Sequence, residues 1–198
     1  VKKGINKKNI IVTGNPIYEI ILKNSKKINK SKILNKLKIK KKKYFILTLH
    51  REENVDDPKK LESFINIFNN VTKNYKLPII WPIHPRTLLK LKKLKKKLNS
   101  EIKLIKPLGF FDFTYLEKNS ISIFTDSGTV QEEASIFKIP CLIVRETTER
   151  PETIESGSGI IVHNNYSKVK KALNFFLNNA HKTKIIPEYN VKNVSSKI

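Results

Sequence analysis

The stretch Ile121-Ser122-Ile123-Phe124-Thr125-Asp126-Ser127-Gly128-Thr129-Val130-Gln131-Glu132-Glu133 decides the fold class. Residues 122–125 read as a short strand and residues 129–137 as a helix, joined by a turn of small and acidic residues. The same succession recurs on both sides. Upstream, residues 44–49 form a buried-type strand. A helix follows in which Asp57 is the N-cap, Pro58 takes the first position, and Leu61, Phe64, Ile65, Phe68 and Val71 keep helical spacing. Residues 78–83 are a strand, 87–98 a helix, 102–105 a strand and 111–118 a short helix. Downstream, residues 141–144 and 160–162 are strands, with helices at 151–155 and 167–178. Near the start, residues 9–13 read as a strand closed by Gly14. Pro16 then opens a helix whose apolar face is Ile17, Ile20 and Ile21. The final stretch, 180–198, is polar and irregular until residues 194–198, where a helix begins. Short apolar strands separated by helices predict an α/β fold, a Rossmann-like parallel sheet with helices on both faces.

Composition bounds the function. The chain has 198 residues, 40 Lys+Arg against 17 Asp+Glu, a formal charge of +23 and 39% apolar residues. That suits one globular domain over residues 1–198. No apolar run nears the roughly 20 residues of a membrane span, and no signal-peptide pattern opens the chain. The single cysteine, Cys141, excludes an internal disulfide and a Cys-based metal site and reads as core. The four histidines have no metal-ligand spacing, and His163 and His181 read as surface residues. The expected setting is cytoplasmic and reducing. With no methionine, the chain reads as processed or as part of something longer.

Of the 40 basic residues only four are Arg: Arg51, Arg86, Arg145 and Arg150. The guanidinium fork suits phosphate better than an ammonium does, so these four mark where a ligand is sought first. The lysine runs at 38–43 and 90–97 read as solvated faces. The aromatics occupy apolar periodic positions and do not interleave with lysines as a base-stacking platform requires, so neither nucleic acid nor membrane is expected as a partner.

Ligands of open parallel sheets sit beyond the carboxyl ends of the strands. Four segments qualify. Thr48-Leu49-His50-Arg51-Glu52-Glu53-Asn54 offers an acid/base and an anion clamp, or a surface loop with a local ion pair. Asp126-Ser127-Gly128 at a helix start offers free N–H groups to phosphate, or an ordinary helix start with acidic residues in its first turn. Arg145-Glu146-Thr147-Thr148-Glu149-Arg150-Pro151-Glu152 holds two guanidiniums, two hydroxyls and three carboxylates in eight positions, or is a solvated charged loop. Trp81-Pro82-Ile83-His84-Pro85-Arg86 is a ligand contact or a rigid turn.

Taken together, these segments resemble the C-terminal half of the non-hydrolysing UDP-N-acetylglucosamine 2-epimerases, which have a glycosyltransferase-B-like fold of two domains. The matching pieces occur in family order. They are Val12-Thr13-Gly14-Asn15-Pro16, the His50 segment, Pro82-Ile83-His84-Pro85, Pro107-Leu108-Gly109-Phe110, Thr125 through Ala134, and Arg145 through Glu152. The resemblance implies reversible interconversion of UDP-GlcNAc and UDP-ManNAc, by loss and re-addition of UDP, with no metal or redox cofactor. It implies His50 as a catalytic residue and Arg51 as its neighbour near the nucleotide. Ser127 and Gly128 would hold phosphate, and Thr129 stands where many relatives carry a second glycine. Arg150 would pair with the diphosphate, Glu133 with the ribose hydroxyls, Phe110 with the uracil, and His84 would lie near a second UDP-sugar site. Proton-abstracting carboxylates are implied in an N-terminal domain preceding Val1, supplied in cis or in trans, and a homodimer is implied for the full enzyme. The chain then reads as the UDP-binding half, inactive alone, of an enzyme of cell-surface polysaccharide biosynthesis. The alternatives are an epimerase of another UDP-N-acetyl sugar such as a diacetamido-uronate, a hydrolysing epimerase, and an inactive UDP-sugar-binding module.

Overall fold

Six parallel strands in the order β3-β2-β1-β4-β5-β6 make the single sheet of a computed structural model, which describes residues 6–178 and 184–197. Helices α1 (Pro16–Lys23), α2 (Ser25–Asn29) and α3 (Ile33–Lys36) precede β1 (Phe45–Thr48). Then come α4 (Glu52–Val55), α5 (Pro58–Tyr75), β2 (Ile79–Pro82), α6 (Pro85–Leu94), β3 (Ile102–Ile105) and α7 (Phe110–Lys118). The second half runs β4 (Ser122–Thr125), α8 (Gly128–Phe137), β5 (Cys141–Ile143), α9 (Pro151–Glu155), β6 (Gly159–Ile161) and α10 (Tyr166–Asn178). The expected Rossmann-like architecture is therefore present.

The inner strands read as largely apolar runs because both of their faces are buried. Phe45, Leu47, Trp81, Phe124 and Leu142 point to one face, against α5 and α10, whereas Ile46, Ile80, Ile123 and Cys141 point to the other, against residues of α3, α7 and α8. An aromatic chain ties the first layer: the ring of Phe124 lies 5.7 Å from Phe45 and 5.5 Å from Phe68, both edge-on. Phe124→Ala is expected to lower stability by about 3–5 kcal/mol through lost burial and the cavity left behind. Urea unfolding followed by circular dichroism measures this.

Local rules explain the element ends. The Asp57 side chain accepts from the Lys59 and Lys60 N–H groups at 2.8 and 3.4 Å, and Pro58 opens α5. Helices α5, α6 and α8 stop at Lys76, Lys95 and Lys138, each in a left-handed conformation with φ of 52, 51 and 55°. The helix expected over 87–98 is accordingly α6, Pro85–Leu94: His84 caps it earlier, and Lys95 ends it earlier.

The expected strand at 9–13 is not one. Lys7–Asn9 is a 3₁₀ turn, and Ile11 and Val12 are 81% and 72% exposed. A strand needs a pairing partner, and this segment joins neither edge strand of the sheet, β3 or β6. This segment is tied down only where Asn15 N–H donates to the Glu188 carbonyl at 2.7 Å. There Gly14 has φ of +99°, and a Cβ on it would sit 2.7 Å from Val191 Cγ2. Gly14→Ala is expected to cost about 1–3 kcal/mol, read as a lowered melting temperature. At the far end, Val194–Ser196 is a 3₁₀ turn whose Ser195 N–H and hydroxyl donate to the Glu19 carboxylate at 2.9 and 2.5 Å. His181 lies outside the described residues, and His163 pairs with Glu146 at 2.9 Å. Among the described residues no helix is long and apolar enough to cross a membrane.

Candidate active site

The strand order reverses between β1 and β4, so the loops after these neighbouring strands leave toward opposite faces and open a crevice at their carboxyl ends. The His50 segment follows β1 and the Asp126 turn follows β4. The register pairs Thr48 with Thr125, and their hydroxyls meet at 2.5 Å.

Asp126 organises the crevice. It is fully buried, and its Oδ2 accepts from the N–H groups of His50 and Arg51 at 2.9 Å each and from Asn54 Nδ2 at 3.1 Å. His50 Nδ1 stands 3.0 Å from Oδ1. Burial would raise the Asp126 pKa, but the His50 contact and the backbone N–H groups outweigh it and hold the carboxyl below its ordinary value. The same contact raises the His50 pKa against the opposing effect of burial. With Nδ1 committed to Asp126, Nε2 is the imidazole nitrogen left for a ligand. Because the folded-state pKa of His50 is raised, its contribution to stability is full below the ordinary histidine value and is lost as pH rises through the raised one. His50→Gln should flatten the dependence of thermal stability on pH over the interval that begins at the ordinary histidine pKa and extends up to the raised one. Arg51 is held by its Nε donating to the Asp126 carbonyl at 2.9 Å.

The phosphate-type turn stands at the start of α8. Ser127 is the N-cap residue, its side chain makes no capping bond, and the first turn carries no acidic residue. The helix start with acidic residues in its first turn is thus not what is built, and the first N–H groups, with the positive end of the helix dipole, have no side-chain acceptor. Arg150 lies directly over this turn: a Cβ on Gly128 would be 3.7 Å from its Cζ and Nη2. The guanidinium is placed by Glu132, which accepts from Nε, and by a turn in which Arg150 N–H donates to Thr148 Oγ1 at 3.1 Å. Thr148 in turn donates to Gln131 of α8 at 2.7 Å.

The other arginines are spent on structure. Arg145 is 6% exposed and binds Glu53 and Glu149, while Arg86 binds Glu52 and Asp56. In the lysine run 90–97, Lys90 and Lys96 pair with Asp56 and Glu62.

A cleft of about 280 Å³ runs from His50 and Ser127 to an apolar wall of Leu108, Phe113 and Val130. His84 lines the same cleft, with its Nδ1 accepting from Arg86 N–H at 3.2 Å to cap α6. Phe110, expected beside a base through its backbone, is the first residue of α7 and stacks edge-on with Phe111 at 5.7 Å, and Phe113, on the same helix, lines the cleft. Glu133 is 5% exposed and lies against the buried Glu117 of α7. Thr129 follows Gly128 in the first turn of α8. Sequence reading singled out neither Asp126, Asn54, Glu132 nor Phe113 individually. Phe113 alone carried a signal, its helical spacing from Phe110.

An apolar slot beside an uncapped helix start, a guanidinium and a carboxylate-held imidazole suits a flat base joined to an anion. The family model described as UDP-N-acetylglucosamine 2-epimerase matches residues 1–198. The chain is 42% identical over 186 residues to the UDP-N-acetylglucosamine 2-epimerase of Methanocaldococcus jannaschii, covering 90% of this chain and 50% of that protein. It is 38% identical over 119 residues to the UDP-2,3-diacetamido-2,3-dideoxy-D-glucuronate 2-epimerase of Pseudomonas aeruginosa, covering 60% of this chain and 33% of that one. The fold superposes on the crystal structure of the M. jannaschii UDP-GlcNAc 2-epimerase in complex with UDP-GlcNAc and UDP with a TM-score of 0.90 at 39% identity, covering 99% of this chain and 55% of that one. The UDP-N-acetylglucosamine 2-epimerase of Rickettsia bellii gives 0.87 at 31% identity, covering 99% and 53%. The chain spans about half the length of the curated relatives it matches. With a family model matched from end to end and relatives of this identity, the chain belongs to the UDP-N-acetylglucosamine 2-epimerase family.

Proposed function

We propose that the chain is the UDP-binding half of an enzyme that interconverts UDP-GlcNAc and UDP-ManNAc. The observation that carries this reading is the seat of the Arg150 guanidinium on Gly128, at the uncapped start of α8 and beside the β1–β4 crevice. The base lies against Leu108 and Phe113, with Phe110 behind, and the ribose hydroxyls reach Glu133. The diphosphate takes the N–H groups of the 127–129 turn and the Arg150 fork.

In the reaction, the C2 proton passes to a carboxylate of the N-terminal domain. The C1–O bond breaks with its electron pair going to the diphosphate, and the C2–H pair forms a C1=C2 double bond, leaving a 2-acetamidoglucal. Charge grows on the diphosphate oxygen as the bond breaks, and fixed donors favour that state over the ground state. His50 Nε2, kept protonated to higher pH by Asp126, donates to the leaving oxygen, and Arg51 adds positive charge. UDP held in place then re-adds before it escapes, with the proton returned to the opposite face of C2.

The test is turnover in deuterium oxide, with the N-terminal half supplied in cis or in trans. UDP-ManNAc carrying deuterium at C2 is the expected product. Absence of both exchange and UDP-ManNAc overturns the reading. The similarity to the diacetamido-uronate epimerase favours one second reading, the same chemistry on that sugar, which the same exchange assay distinguishes by substrate.

A further inference from the structure

Glu117 is a fully buried carboxylic acid on α7, at 0% exposure. Neither of its carboxyl oxygens has a hydrogen-bond donor among the described residues. Nearby donors go elsewhere. Ser120 gives its hydroxyl and its N–H to the Glu117 backbone carbonyl at 2.8 and 3.0 Å, and Tyr44 gives its hydroxyl to the Leu116 carbonyl at 2.6 Å. What the Glu117 carboxyl does meet is another carboxyl, that of Glu133 on the facing helix α8. Among the described residues, the other titratable groups acting on the pair are Cys141 on β5 and Glu132 on α8, and no cation acts on it.

Two carboxyls in contact in a dry site cannot both be charged; they share a proton. Burial holds Glu117 well above the ordinary carboxylate range, and burial pushes Glu133 up to about 7. The proton therefore resides on Glu117, which donates it to one oxygen of Glu133. Glu117 gains nothing for the fold by this, because an apolar side chain of similar size would fill the space without burying a polar group. Its one specific effect is to fix the rotation of the Glu133 carboxyl, whose second oxygen is then free to accept.

We propose that Glu117 is a positioning residue: as a protonated acid it holds Glu133 in the orientation that accepts a ribose hydroxyl, and so makes the site select ribonucleotides over 2′-deoxyribonucleotides. The proposal rests on the reading that Glu133 receives the ribose, and it assigns the selectivity to a residue that never touches the ligand.

Calorimetric titration with UDP and with 2′-deoxy-UDP isolates the hydroxyl contribution, since the two ligands carry equal charge. The protein is expected to prefer UDP by about tenfold, the worth of a hydrogen bond to a charged acceptor. Glu117→Leu should bring the ratio close to one while leaving the melting temperature equal or higher. Glu117→Gln, which keeps the donor and the shape, should retain the preference. Glu133→Ala should abolish it. If Glu133→Ala abolishes the preference and Glu117→Leu does not, or if Glu117→Gln loses it as fully as Glu117→Leu, the proposal is overturned while the ribose reading stands. If Glu133→Ala leaves the preference intact, the ribose reading itself fails. Infrared spectroscopy decides the matter even if Glu117→Leu does not fold. The protein at neutral pH should show a protonated-carboxyl C=O stretch that Glu117→Gln removes, and its absence overturns the shared proton.

Discussion

Asp126→Asn is expected to leave a folded, UDP-binding protein whose turnover falls by about 10²- to 10⁴-fold, the range set by loss of a positioned acid or base. The amide is the size of the carboxylate. Its one oxygen can still accept from the N–H groups of His50 and Arg51, which both lie 2.9 Å from Oδ2. The Oδ1 position, 3.0 Å from His50 Nδ1, then carries NH₂. A donor there forces Nδ1 to accept, moves the imidazole proton to Nε2 and removes the charge that raises the His50 pKa. The imidazolium is lost near neutrality, and with it the acid that meets the leaving diphosphate. The kcat–pH profile reports this as a fall concentrated in kcat with UDP affinity little changed. Asp126→Ala has a different consequence. It strips the partners from two backbone N–H groups and from Asn54 in a fully buried site, and a loss of about 3–5 kcal/mol in stability is expected.

Removing the guanidinium should weaken UDP instead. Arg150→Ala is expected to reduce UDP affinity by about 10- to 100-fold, the worth of one or two charge-assisted hydrogen bonds. Arg150→Lys should not restore it. The planar fork can give Nε to Glu132 while its Nη2 edge stays over Gly128, but a single ammonium cannot do both. The truncation also leaves Glu132, 6% exposed, without its partner. Adding Glu132→Gln to Arg150→Ala should recover stability and leave the affinity low, which separates the binding role from the structural one. Isothermal titration with UDP and thermal melts of the single and double variants read the two effects.

The fold was legible because the inner strands β1, β2, β4 and β5 are buried on both faces. A run such as Phe45-Ile46-Leu47 admits few other readings between capped helices. Segment 9–13 has the same apolar, β-branched look, and only its failure to pair with either edge strand distinguishes it. That is a tertiary fact. Helix ends were blurred by the lysine-rich composition. Lys76, Lys95 and Lys138 occupy left-handed positions that glycine usually marks, so α6 was read as running to residue 98 instead of stopping at Leu94. In the site, the strand-end rule singled out the segments that hold His50, Ser127 and Arg150, because each segment begins where a strand ends. It could not assign partners. Asp126 and Glu132 stand beside residues that looked more informative, and their work is done across 76 and 18 residues of chain. Phe110 drew attention through the Pro-Leu-Gly that precedes it, although one turn of helix places Phe113 on the cleft.

Hydrogen exchange at single amides with and without millimolar UDP tests the central claim most directly. The account predicts slowed exchange at Gly128, Thr129 and Val130, together with the segment around Phe113, and no such protection in Arg150→Ala at the same UDP concentration. Unchanged exchange at the start of α8 in a folded protein saturated with UDP, or protection confined to another part of the sheet, would contradict it.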